Sequence, residues 1–126
     1  SRNYTGYDSM NSKFALNDYQ CEAMRTAADL GNPRDNLLHA MLGMMDEVGE
    51  LAKTMKAELA YGKELDVENL LEETGDVLWF IALMCHTLGV PMSYVAMNNL
   101  AKLRRRYPEA FSEADALARK DKEDGE

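Results

Sequence analysis

The chain has 126 residues, which is enough for one domain of ordinary size. Its hydrophobic fraction of 46% is typical of a globular protein and argues against disorder throughout. The formal net charge of -8 argues against nonspecific nucleic-acid binding, but it permits a nucleotide ligand whose phosphates a metal ion bridges to carboxylates. A chain this short buries a limited fraction of its surface, so a helix with two apolar faces would indicate an oligomer.

The cysteines and the hydropathy pattern indicate a cytoplasmic protein. Cys21 and Cys85 are too few and too far apart for a disulfide framework or a CxxC metal site, so we expect free, buried thiols. No apolar run approaches the ~20 residues that span a membrane, and the polar N-terminus lacks the hydrophobic region of a signal peptide. The sequence therefore predicts neither a membrane partner nor a nucleic-acid partner.

The composition divides the chain into an arm, a helical domain and a tail. Residues 1–13 are polar and predict a flexible N-terminal arm. Residues 14–119 show helical periodicity without sustained two-residue alternation. We therefore expect an all-α domain, a bundle of about four main helices plus a short C-terminal helix, completed by oligomerisation. Residues 120–126 are mostly acidic and predict a solvated tail.

Capping residues and prolines set the expected boundaries of the first two helices. The first begins near Asn17 or Asp18, either of which can cap it, and ends at Gly31. Residues 32–35 form a turn, since they contain a proline. The second helix runs from about residue 36 to residue 61, where a Gly-Lys pair follows.

The same signals bound the remaining three helices. Asp66 caps the third helix, which ends near Gly89. Pro91 suits the first turn of the fourth helix, which ends at Tyr107–Pro108. Ser112 opens a short last helix.

The second predicted helix carries an apolar stripe and, outside it, two glutamates. Its apolar residues recur at helical spacing and predict a core face: Leu37, Met41, Met44, Val48, Leu51 and Met55. Glu47 and Glu50 lie on another arc, about 60° apart.

The third predicted helix repeats this arrangement. Its stripe consists of Leu70, Thr74, Val77, Leu78, Ile81 and Cys85. Glu73 and Asp76 lie outside that stripe, at the same offset as the glutamates on the second helix. Counted from the glycine at position 62, Glu50 lies 12 residues before it and Glu73 lies 11 after it. In an antiparallel hairpin the two acidic pairs therefore lie at nearly the same height.

Four converging carboxylates need a compensating cation, because like charges repel. Mg²⁺ prefers oxygen ligands, whereas the absence of a sulfur ligand and of an ExxH pair disfavours zinc and di-iron. The alternative interpretation is that these are ordinary acids on solvated helix faces. Trp79, Phe80 and Leu83 lie beside and beyond Asp76 and argue against it, because a solvated face seldom carries such residues. We expect their arc to meet an apolar surface, such as a second subunit or a nucleotide base.

The fourth predicted helix carries a polar face. Asn99, Lys102 and Arg106 fall at i, i+3 and i+7, so they share one stripe. An amide, an ammonium and a guanidinium together can hold phosphate oxygens. The alternative is that the arginines at 104–106 only complement the dipole at the end of a helix.

Three segments together resemble the MazG-like branch of the all-α nucleoside triphosphate pyrophosphohydrolases. They are DEVGE at residues 46–50, ETGD at residues 73–76 and NLAKLRRRYP at residues 99–108. They match that family's EExxE, its ExxD and its later Asn/Lys/Arg helix in type, order and spacing. The resemblance covers roughly residues 17–112. Asp46 departs from the pattern, since the family has a glutamate there, and it is not counted as a ligand.

The resemblance implies a magnesium-dependent enzyme, with Mn²⁺ as a substitute, that hydrolyses a nucleoside triphosphate to the monophosphate and pyrophosphate. Such an enzyme serves the house-cleaning of the nucleotide pool and commonly forms a homodimer or tetramer. By the resemblance, the metal ligands are Glu47, Glu50, Glu73 and Asp76.

The resemblance also implies roles for individual side chains. Glu47 or Glu50 is the catalytic carboxylate, and Asn99, Lys102 and Arg106 contact phosphate. Trp79 is a candidate to stack on the base, although a tryptophan on a helix is more often an interface or core residue. The alternatives are a non-enzymatic helical interaction module and a related hydrolase of dUTP or phosphoribosyl-ATP.

Overall fold

The computed structural model describes residues 14–119 and Lys122, and this part of the chain contains helices and no strand. The five helices are α1 (Leu16–Met24), α2 (Pro33–Tyr61), α3 (Val67–Thr87), α4 (Met92–Arg106) and α5 (Glu113–Ala118). The prediction of an all-α fold is confirmed. The predicted arm and, apart from Lys122, the predicted tail lie outside the described residues.

The described residues divide into two compact units, one that ends at Pro91 and one that begins at Met92. In the first unit α2 and α3 pack together along an antiparallel hairpin, and α1 packs on α3. In the second unit α4 contacts α5. No single described helix is both long and apolar enough to cross a membrane, although α3 and α4 pass that test together as an interrupted pair, by length and composition only.

The turn between α2 and α3 follows the predicted signals. Gly62 ends α2 with a φ of 63°, in the left-handed region that a residue without a Cβ adopts easily. The backbone N–H of Lys63 then donates to the Ala57 carbonyl at 3.2 Å, which closes the end of the helix. Asp66 caps α3 by accepting from the Asn69 N–H at 3.0 Å. The hairpin register is therefore fixed by local chemistry.

The first helix is shorter than predicted and ends at Met24, not at Gly31. If the helix continued, the Ala23 carbonyl would accept from the backbone N–H of residue 27. It instead accepts from the Thr26 hydroxyl at 2.7 Å and from the Trp79 indole N–H at 3.2 Å. The following segment is held by Asp29 and Asn36 side chains, which take the place of helical hydrogen bonds.

Two helix starts also differ from the prediction. α1 begins at Leu16, where Asp18 lies inside the first turn and accepts from the Ala15 N–H at 3.1 Å. α2 begins at Pro33, about three residues early, because the Asn32 side chain accepts from the Asp35 N–H at 2.9 Å and caps the helix. A proline in the first turn loses nothing there, since that N–H has no helical partner. The other predicted boundaries lie within about two residues of the observed ones.

The apolar face of α2 is rotated relative to the predicted stripe. Ala40 is fully buried, whereas Met41, Val48 and Met55 of the predicted core face are exposed. The core-face prediction is therefore wrong for these three residues, because it is the neighbouring arc, which carries Ala40, that packs on α3. Cys21 is also exposed, contrary to the prediction of buried thiols, while Cys85 is buried.

A side chain of α3 reaches the backbone of α2 at Gly43. The Phe80 ring lies where a Cβ on residue 43 would stand. The ring also packs edge-on against Trp79 and His39, with centroid distances of 5.0 Å and 5.7 Å. Only a glycine lets the aromatic ring reach the backbone of α2, so this contact sets the separation of the two helices.

We therefore expect Gly43→Ala to destabilise the fold by about 1–3 kcal/mol, since the added methyl group overpacks the contact with Phe80. The matched control is Gly49→Ala on the same helix, where a Cβ would meet nothing within 4 Å. That change should stabilise by about 0.5–1 kcal/mol through helix propensity. Urea denaturation followed by circular dichroism measures both. Equal stability of the two variants would contradict this packing.

Candidate metal centre

Three of the four predicted acids converge between α2 and α3. Glu47 on α2 and Glu73 and Asp76 on α3 each offer a carboxylate oxygen, and these three oxygens all lie within 4.8 Å of one another. Glu47 and Glu73 are half-buried and Asp76 is exposed, so the cluster lies in the groove between the helices and opens to solvent. Such a cluster of oxygen atoms is small enough for one cation to contact all three.

The cluster is held between two contacts of the helical hairpin. The first contact is that of the Phe80 ring with Gly43. Gly43 lies one turn before Glu47 on α2, and Phe80 lies one turn after Asp76 on α3. On the other side, toward the hairpin turn, the Asn69 side-chain amide donates to the Thr54 hydroxyl at 2.6 Å. The Thr54 hydroxyl in turn donates to the Glu50 carbonyl at 3.2 Å. Packing and hydrogen bonding thus bring the carboxylates together against their repulsion.

That repulsion is visible in the proton affinity of Glu47. A hydrogen bond with the Glu73 carboxylate raises the pKa of Glu47 to about 7, with further contributions from desolvation and from the charges of Glu73, Asp76 and Asp46. A carboxyl with such a pKa shares its proton with a neighbour near neutral pH. A divalent cation can take the place of that proton and neutralise more charge.

Glu50 lies outside the cluster. Its carboxylate lies 3.7 Å from the Lys53 ammonium, and both side chains are substantially exposed. An exposed pair at this spacing contributes about 0–1 kcal/mol, so it does not fix the glutamate in place. Glu50 is one helical turn from Glu47 and therefore remains close to the groove. Its predicted role as a ligand stays a prediction.

The predicted phosphate-binding residues belong to the second compact unit. Asn99, Lys102 and Arg106 all lie on α4, where their spacing places them along one face. Asn99 is exposed, whereas Lys102 and Arg106 are half-buried. Their contact with phosphate stays a prediction.

The aromatic arc of α3 packs at least in part within the same chain. The Trp79 indole N–H donates to the Thr26 hydroxyl at 2.9 Å and to the Ala23 carbonyl, so the ring packs against the end of α1. Leu83 is buried. These contacts account for Trp79 as a packing residue, and its stacking on a base stays a prediction.

Sequence reasoning missed the residues that position the acids. Gly43 sits inside an apolar helical pattern, and nothing local distinguishes it from the exposed Gly49. Thr54 and Asn69 are separated by 15 residues, so no short motif joins them.

Tyr19 on α1 was also missed by the sequence prediction. Burial raises the pKa of its phenol, and the nearby charge of Asp76 raises this pKa further. The phenol therefore lies on the α1 side of the carboxylates.

The donor set fits a hard divalent cation. Glu47, Glu73 and Asp76 supply only carboxylate oxygens, and no cysteine or histidine of the described residues joins them. Oxygen-only sites suit Mg²⁺, Mn²⁺ or Ca²⁺ better than zinc. Three carboxylates also leave room for water or phosphate oxygens on the ion, since six-coordination is usual for such cations.

Comparison with known proteins identifies the family of the chain. The family model described as the MazG nucleotide pyrophosphohydrolase domain matches residues 36–111, a range that contains all three clustered acids. Gene 37 protein of Mycobacterium phage L5 is 31% identical over 96 residues, which cover 70% of this chain and 84% of that protein. No solved structure matches the chain. The chain therefore belongs to the MazG nucleotide pyrophosphohydrolase domain family.

Proposed function

We propose that this protein is a magnesium-dependent nucleoside triphosphate pyrophosphohydrolase, which converts a nucleoside triphosphate to the monophosphate and pyrophosphate and serves nucleotide house-cleaning. The observation that carries the proposal is the convergence of Glu47, Glu73 and Asp76 within the region that matches the family. An acidic protein that binds a polyanionic substrate needs a cation between them, and the cluster offers a place for it.

The three clustered acids are assigned as the ligands of the metal ion, with Mn²⁺ as a substitute for Mg²⁺. When bound, the ion offsets the charge of the triphosphate and polarises its phosphoryl oxygens. Glu47 would have to be ionised to hold the ion, because a ligand carboxylate must be deprotonated. Glu73 and Asp76 lie one turn apart on α3, so they would hold the ion from that helix, and Glu47 would hold it from α2.

Glu50 is assigned to the attacking water, with Glu47 orienting it from the metal centre. Glu50 lies one turn from Glu47 and outside the three clustered oxygens, so a water can lie between its carboxylate and the substrate. The water oxygen forms a bond to the α-phosphorus, and the bond from that phosphorus to the bridging oxygen breaks. The water proton passes to the carboxylate, and pyrophosphate leaves.

The basic face of α4 is assigned to the leaving group. Lys102 and Arg106 stabilise the charge that develops on pyrophosphate, and Asn99 donates a hydrogen bond to a phosphate oxygen. Trp79 is the proposed contact for the base, through the face of its ring, while its N–H stays bonded within the chain. The proposed ligand is a nucleotide, and we propose no nucleic-acid or membrane partner.

The direct test is a panel of canonical and modified nucleoside triphosphates, including dUTP, with phosphoribosyl-ATP as a further substrate and pyrophosphate as the detected product. Turnover with Mg²⁺ that stops when the metal is chelated supports the proposal, and the substrate turned over fastest identifies the branch of the family. If no nucleotide is hydrolysed or stabilises the protein against heat, the protein is a non-enzymatic helical module instead.

Removal of any clustered carboxylate should lower kcat/KM by about 100-fold or more, because each is a direct ligand of the ion. The variants are Glu47→Gln, Glu73→Gln and Asp76→Asn, which keep the side-chain shape. The matched control is Glu72→Gln, an exposed acid next to Glu73 on α3. Its kcat/KM should equal that of the wild type. Similar losses of kcat/KM in the control and in the three ligand variants would contradict the assignment of these acids as metal ligands.

The raised pKa of Glu47 predicts how the metal-free protein responds to pH. The folded state keeps its proton up to about pH 7, whereas the unfolded chain releases it near the ordinary value of 4.5. Stability should therefore fall as the pH rises through this window and stay low above it. Melting temperatures of chelator-treated protein should show this fall, and Glu47→Gln should reduce it. If the melting temperatures of the wild type and of Glu47→Gln changed in parallel with pH, the assignment of the raised pKa to Glu47 would be contradicted.

A further inference from the structure

We propose that Tyr19 is a positioning residue of the metal centre, whose phenol donates a hydrogen bond to the Asp76 carboxylate when that carboxylate serves as a ligand. Tyr19 lies on α1, outside the helical hairpin that carries the three clustered acids. It also precedes residue 36, where the match to the family model begins. The inference rests on the proposed role of the clustered acids as metal ligands, and it adds a third helix to their centre.

One face of α1 meets the side of α3 that carries Asp76. Tyr19 and Ala23 lie one turn apart on α1, and Thr26 continues their stripe in the turn that follows the helix. The Trp79 indole N–H donates to the Ala23 carbonyl at 3.2 Å and to the Thr26 hydroxyl at 2.9 Å. On α3, Asp76 lies one turn before Trp79. The contact of Trp79 with α1 therefore brings the Tyr19 side of that helix toward Asp76.

α1 is also anchored on its neighbouring face. The Gln20 side-chain amide donates to the Val90 carbonyl, just beyond the end of α3, at 3.0 Å. Together with the hydrogen bonds of Trp79, this bond ties α1 to two separate places along α3. Tyr19 lies between these two anchors in the sequence order of α1 and α3 contacts, next to Gln20 and one turn from Ala23. The position of Tyr19 is thus set by the fold, as a positioning residue requires.

The charge of Asp76 acts on the Tyr19 phenol. Tyr19 is half-buried, and burial followed by the charge of Asp76 raises the pKa of the phenol above its ordinary value of 10.0. The phenol therefore keeps its proton at neutral pH and is a hydrogen-bond donor. The two side chains do not hydrogen-bond to each other in the structure. Because Asp76 is exposed, its carboxylate can turn so that one oxygen stays in the cluster while the other accepts from the phenol.

A carboxylate ligand needs such a donor. When one oxygen of a carboxylate binds a metal ion, a hydrogen bond to the carboxylate fixes its orientation. Glu47 and Glu73 cannot supply this bond as ligands, because an ionised carboxylate only accepts. The Tyr19 phenol is a neutral donor, so it orients Asp76 without adding a positive charge that would repel the cation.

The experiment measures Mn²⁺ binding to the chelator-treated wild type and to Tyr19→Phe by electron paramagnetic resonance of the free ion. No nucleotide is present, so the result does not depend on catalysis. Tyr19→Phe removes only the hydroxyl, and we expect its dissociation constant for Mn²⁺ to rise about 10-fold or more. The midpoint of urea denaturation without metal should change little, because the ring that packs on α3 is kept.

The matched control is Tyr61→Phe, the same change in a tyrosine that is 68% exposed at the end of α2. Tyr61 lies about 20 Å along that helix from Glu47, so its hydroxyl is out of reach of the clustered acids. Its dissociation constant for Mn²⁺ should equal that of the wild type.

Weaker Mn²⁺ binding by Tyr19→Phe alone, with an unchanged urea midpoint, establishes the role of the phenol. Equal dissociation constants for Tyr19→Phe and the wild type overturn that role and leave the proposed function standing. A loss that Tyr61→Phe shares, or that comes with a lower urea midpoint, overturns it as well. A wild type that binds no Mn²⁺ overturns the metal centre and this inference together. If Tyr19→Phe does not fold, Tyr19→Leu, which also lacks the hydroxyl, is measured by the same criteria.

Discussion

The contact between the Phe80 ring and the backbone of Gly43 determines how close α2 and α3 lie. Because Glu47 lies one turn beyond Gly43 and Asp76 one turn before Phe80, the same contact brings carboxylates of the two helices together. The hydrogen bond from Asn69 to Thr54 holds the other side of the groove. The acids are therefore close because apolar packing and a neutral hydrogen bond outweigh their mutual repulsion.

The close carboxylates repel one another in the folded protein, and a bound cation can relieve this repulsion. The pKa of Glu47 rises to about 7 because the carboxyl shares a proton with Glu73 beside further negative charge. A bound cation relieves the same repulsion, so metal binding and folding favour each other. A rigid hairpin is suited to this role, since its carboxylates do not have to be gathered when the ion arrives.

Local signals in the sequence were enough to predict the all-α fold and the caps at Asp66 and Ser112, because those residues act on their own backbone neighbourhood. Equal counts from the hairpin turn also predicted that acids of α2 and α3 meet. The sequence did not predict the rotation of α2, since an exposed apolar stripe has the same spacing along the chain as one that faces the core. Nor did it predict the early end of α1, which depends on the distant Trp79.

The helix that carries Glu47 toward α3 also presents exposed apolar residues, such as Met45 and Leu59. The central claim is that Glu47, Glu73 and Asp76 form a single hard-metal site. Crystals grown with Mn²⁺ and measured for anomalous scattering test it most directly. We expect one peak about 2 Å from a carboxylate oxygen of each of the three residues. A peak that lacks contact with Glu47, or no peak between α2 and α3, would contradict it.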